Sequence, residues 1–164
     1  MHRRSVAVFD RFLSALASIV DKAEAHCAAR KIMPEVILAA RLFPDMFSFT
    51  RQVQLACDFA ARGTARLAGQ EPKSFPDTET SFAELRDRIS AVRGYMGSFQ
   101  PADFAQAETR DIHFKAGGRE MVLKGDEFLS FYTLPQFFFH VTTAYDILRA
   151  NGVDLGKRDY MGAP

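Results

Sequence analysis

Apolar positions along this chain fall into four stretches of helical spacing, broken once by a stretch that alternates. Phe9, Leu13, Leu16, Val20, Ala23 and Cys27 recur at intervals of three and four, which predicts a helix from about residue 4 to 30. Pro34 suits the first turn of a second region carrying Val36, Ile37 and Leu38, and Pro44 breaks or kinks it. A long helix is then expected to run to about Leu67 and end at Gly69, with Met46, Thr50, Val53, Cys57, Ala60, Thr64 and Leu67 as its stripe. Gln70–Thr78 reads as a linker. Ser81 and Glu84 have capping-box spacing, and Phe82, Leu85, Ile89, Val92, Met96 and Phe99 form the third stripe, stopped by Pro101.

From about 109 to 124 the period changes to two. Ile112 and Phe114 alternate with polar neighbours, Gly117-Gly118 supplies a turn, and Met121 and Leu123 alternate on the return, as in a β-hairpin. A lone hairpin is marginal in water, so it must pack on helices. The fourth helical region spans about 126–150, interrupted by Pro135 and closed by Asn151-Gly152. Leu134, Phe138, Val141, Tyr145 and Leu148 make one stripe; Phe137, His140, Ala144 and Ile147 make a second beside it. The tail 153–164 is expected to dock on the bundle or on a partner. The whole, residues 1–164, reads as one mainly α domain: a four-helix bundle with a small hairpin inserted before the last helix.

Composition narrows the function classes. A net charge of +1 argues against a nucleic-acid binder. No apolar run approaches the roughly 18–20 residues that span a bilayer. His2-Arg3-Arg4 opens like a signal peptide, but Asp10 and Arg11 break the stretch behind it, so a cytoplasmic location is expected. Sixteen phenylalanines exceed what one small core needs, which favours a homodimer. Cys27 and Cys57 fall on apolar stripes too far apart for a bridge and read as buried thiols.

Candidate chemistry centres on the last helix. Gln136 and His140, at i and i+4, share a helical face in the most apolar segment of the chain. They are either the remnant of a metal site or a satisfied polar patch, because a buried imidazole needs a partner. His26 borders the first helix's core stripe, and His113 points outward from the hairpin. Asp45 beside Pro44 reads as a helix N-terminal carboxylate. Arg41, Arg51, Arg62 and Arg66 read as surface or interface ion pairs. Asp77, Glu79, Glu84 and Asp87 read as a solvated first turn. No H-x-x-x-H, H-E-x-x-H or C-x-x-C occurs.

Several strings are familiar: Arg41 to Met46, Arg51 to Ala60, Ala65 to Gly69, Asp77 to Leu85, and Leu134 to Gly152 followed by Leu155 to Tyr160. Together they resemble an uncharacterised bacterial domain-of-unknown-function family similar to the DinB/YfiT-like four-helix bundles. DinB-like metalloproteins hold a divalent metal through one histidine of the second helix and an H-x-x-x-H pair in the last. The resemblance sets His140 on the second of that pair and Gln136 on the first. From helix 2, Asp45, Gln52 or Asp58 would have to serve. Three readings follow. One is a bundle without assigned catalysis that binds a small molecule near Gln136 and His140, with no cofactor. Another is a divergent metal-dependent enzyme, thiol transferase or isomerase-like, with His140 as its one plausible metal ligand. The third is an interaction module using its phenylalanines.

Overall fold

A computed structural model describes residues 1–162; Ala163 and Pro164, the last residues of the expected tail, lie outside the described residues. Four long helices carry the fold: α1 (His2–Arg30), α3 (Phe49–Leu67), α4 (Phe82–Gly97) and α6 (Leu134–Ala150), with a short α2 (Pro34–Leu38) between the first two. Helix α3 packs against both α4 and α6, and α1 closes the arrangement against α4, α3 and α6. The stripes of α1 and α4 are buried at every predicted position, because a 3.6-residue period puts them on one face. Asp10–Arg93 at 2.7 Å and Arg86–Glu24 at 2.6 Å tie the outer edges of these two helices.

The region around Pro44 differs from expectation. Helix α2 stops at Leu38, and residues 40–48 have no helix, so α3 begins only at Phe49. Ser48 sets that start by accepting a hydrogen bond from the Arg51 amide at 3.4 Å. Of the predicted α3 stripe, Val53, Cys57, Ala60, Thr64 and Leu67 are buried, while Met46 and Thr50 are half-buried. Asp45 therefore sits exposed in a loop, not at a helix N-terminus.

Strands β1 (Asp111–Ala116) and β2 (Arg119–Lys124) pair antiparallel with Ile112 opposite Leu123 and Phe114 opposite Met121. Gly117 and Gly118 both adopt positive φ, 55° and 77°, as the tight turn requires. The hairpin packs inward through Ile112 and Phe114; the Phe114 ring lies 5.1 Å from Phe128 and 4.5 Å from Tyr132. Met121 on the return strand is exposed.

Pro135 does not interrupt the last helical region. The chain is helical from the short α5 (Gly125–Glu127) through a π-helical segment, Phe128–Thr133, into α6. Proline removes a backbone donor and crowds the carbonyl four residues earlier; the wider π turns relieve this without breaking the helix. Gly63 of α3 faces that segment so closely that a Cβ would overlap the Thr133 methyl.

The two stripes of α6 also change rank. Phe137, His140, Ala144 and Ile147 are buried, whereas Leu134, Phe138 and Tyr145 of the first stripe are half-buried. After α6, helix α7 (Lys157–Met161) docks on α1: Lys22 pairs with Asp159 at 2.7 Å, and Arg11 donates to the Met161 carbonyl at 3.0 Å. Cys27 and Cys57 are free, buried thiols. No helix among the described residues is long and apolar enough to cross a membrane.

Candidate functional site

The cap at Ser48 places Gln52 in the first turn of α3, facing α6. Gln52 is 1% exposed and His140 is 6% exposed. The Gln52 amide nitrogen donates to the Phe47 carbonyl at 3.3 Å, which leaves Oε1 as an acceptor. His140 Nδ1 lies 2.7 Å from that oxygen. A carboxamide oxygen only accepts, so the imidazole proton resides on Nδ1 and Nε2 carries a lone pair. The ring stacks on Phe59 (centroids 5.5 Å apart, planes at 14°) and meets the edge of Phe139 at 5.4 Å. Nε2 has no partner among the described residues. The residue keeps 6% of its surface exposed, and Nε2 is not sealed from solvent.

Burial pushes the His140 pKa down to about 4, and the Arg51 charge adds to the effect. The folded chain thus holds a neutral ring where the unfolded chain, with histidine's ordinary value of 6.5, accepts a proton. Between those two pH values the unfolded state binds more protons, so stability falls as pH falls through the window. The expected loss attributable to His140 is about 2–3 kcal/mol. Urea unfolding of wild type and His140→Asn at pH 7, 6, 5 and 4 reads it: the wild type loses more stability on acidification than the variant. Parallel pH profiles would contradict a neutral buried ring.

The other candidates scatter. Gln136 is half-buried, one turn before His140. His26, half-buried near the end of α1, lines a cleft of about 330 Å³ with Arg30, Ile32, Asn151 and Gly152. His113 is exposed. Asp58 lies on a different face of α3 and meets Arg88 of α4. Of the residues named from the sequence, only Gln52 is brought onto His140.

Asp58 belongs to a cluster that sequence reasoning missed. The Arg88 side chain, 2% exposed, places Nη2 at 2.7 Å from Asp58 and 3.1 Å from Asp77, and Nη1 at 3.0 Å from Glu79. Nη1 also donates to the Pro76 carbonyl at 2.9 Å. Gln54 donates to Glu79 at 2.8 Å, Arg62 pairs with Asp58 at 2.9 Å, and Arg51 pairs with Asp77. Glu79 is therefore not part of a solvated first turn: its side chain is 10% exposed and committed to Arg88. Arg51 and Arg62 are ion-pair residues, but within the chain; Arg51 is half-buried and Arg62 exposed. Burial raises the Asp58 pKa against the pull of Arg62 and Arg88. Burial also pushes the neighbouring Cys57 thiol up to about 12, which makes it unreactive. The available signal was Arg88 itself, lying beside Ile89 and three residues after Leu85 on the flank of the α4 stripe.

The fold places the chain among the DinB-like helical proteins. It is similar to the crystal structure of a DinB family member protein from Shewanella denitrificans, with a TM-score of 0.94 and 44% sequence identity, covering 99% of this chain and 92% of that one. The chain belongs to the family described as domain of unknown function (DUF1993), which matches residues 1–161. None of the curated proteins compared matches it.

The divalent metal that a DinB-type resemblance implies does not fit the residues present. Among the described residues no group of three or more His, Cys, Asp or Glu side chains is placed to hold an ion. His140 would be a single imidazole ligand. Its partner Gln52 offers a neutral oxygen already accepting from Nδ1, and carboxamides compensate charge poorly.

Proposed function

We propose that this protein binds a small molecule on the face where α3 and α6 meet, over His140 and Gln136, without relying on a metal. The observation that carries the reading is an imidazole only 6% exposed, with Nδ1 held by Gln52 and Nε2 left as an acceptor with no partner among the described residues. An acceptor that reaches solvent and has no protein partner is open to a donor brought by a ligand. The surroundings support it: Phe59 and Phe139 flank the ring, and Phe139 and Phe47 are more than half exposed. Small-ligand sites are lined mainly by aromatic and apolar side chains around a few placed polar groups.

The test is a fragment screen by NMR on protein with 15N-labelled histidine. Hits are expected to move the His140 ring resonances, and those hits are expected to lose binding in His140→Leu while that variant keeps its helical circular dichroism. A screen whose hits all map elsewhere and bind His140→Leu unchanged would overturn the proposal.

A further inference from the structure

Resting on that reading, we infer that the ligand over His140 is a neutral aromatic molecule carrying an O–H or N–H donor, a phenol-like compound, whose donor bonds to Nε2. The polarity of this site is set by a relay that starts at a backbone carbonyl. The Phe47 carbonyl can only accept, so it takes the Gln52 amide N–H. That turns the Gln52 oxygen toward His140, where it takes the Nδ1 proton. Nε2 is then an acceptor, and reversing it means breaking two hydrogen bonds together. A ligand must bring the donor.

The rest of the site selects the body of that ligand. Phe59 presents a ring stacked on the imidazole, Phe139 stands edge-on to it, and Tyr132 meets Phe59 edge-on at 6.0 Å. A planar apolar group adds to such an aromatic set. An anion is disfavoured, because its lone pairs would face the Nε2 lone pair, and burial and the Arg51 charge oppose the protonation that would turn the ring into a donor. Arg51 itself is paired with Asp77.

Three probes of similar size separate the possibilities: phenol, anisole and benzoate, titrated at pH 7 against the labelled protein. Phenol is expected to move the His140 Nε2 resonance and to bind roughly 3- to 10-fold tighter than anisole, the factor one net hydrogen bond supplies. Benzoate is expected to be the weakest. Equal binding of phenol and anisole, with both moving the His140 signals, would leave the ligand face standing and overturn the donor requirement. Tightest binding by benzoate would overturn the neutral class. If none of the three moves signals on this face, the site itself is wrong. Gln52→Glu supplies a sign test: its carboxylate still accepts from Nδ1 but favours the imidazolium. Nε2 then donates, and the preference should invert from phenol to benzoate. Should that variant fail to fold, the wild-type ranking alone decides.

Discussion

Replacing Arg88 with methionine is expected to destabilise the fold by about 3–5 kcal/mol, the range seen when one partner of a buried ion pair is removed. The reason is what remains. Asp58 and Glu79 have side chains 5% and 10% exposed, and both would be left as buried carboxylates without their central cation. The Pro76 carbonyl would lose its donor as well. Methionine keeps much of the volume, so lost packing is a minor part of the effect. Urea unfolding reads the loss as a lower midpoint. Adding Asp58→Asn and Glu79→Gln to Arg88→Met should recover a large part of it, because neutral amides tolerate burial better than unpaired charges. A loss below about 1 kcal/mol for Arg88→Met would mean the cluster contributes little. The same variant should loosen residues 76–79, which lack helix and strand and which Arg88 ties to α4 through the Pro76 carbonyl, Asp77 and Glu79. Faster amide exchange confined to that segment would show it.

Phe137→Ala carries the second large effect, about 3–5 kcal/mol. Its ring is fully buried and meets Phe9 edge-on at 4.9 Å, joining α6 to α1 in the centre of the core. Phe138→Ala should cost clearly less, roughly 1–2 kcal/mol. That ring is half-buried and touches Phe12 and Phe137 from the side of the core. Denaturation of the two variants side by side tests the rotation of α6. Equal losses, or a larger one for Phe138→Ala, would mean the helix is turned the other way. His140 shares the Phe137 stripe, so this comparison also checks that the imidazole faces inward.

The sequence made much of the scaffold legible. The stripes of α1 and α4 could be read without error because each has one apolar face and a clear polar one. The hairpin was legible from its change of period and its paired glycines. Helix α6 was harder. It is apolar around most of its circumference, so two stripes competed, and only the position of α1 and α3 decides which is deeper. The start of α3 is not legible at Pro44, which reads equally as a break or a kink. Ser48, four residues on, is where the cap forms.

The site was half legible. His140 stood out as a lone imidazole among phenylalanines, and Gln52 was named among several partners on the second helix. Nothing in the local pattern separated Gln52 from Asp45 or Asp58. Helical phase does so once α3 starts at Phe49: Gln52 turns to α6 and Asp58 to α4. The Arg88 cluster lay beyond reach, since it joins residues 58, 77, 79 and 88 from two helices and a linker.

Taken alone, the order of residues determined which segments are helical, where the hairpin lies and which faces are apolar. These depend on interactions between residues a few positions apart. Tertiary structure alone decided which polar group meets which: Gln52 with His140, Asp58 and Glu79 with Arg88. A charge or an amide finds its partner across the fold, and its cost or benefit exists only after water has been removed from both.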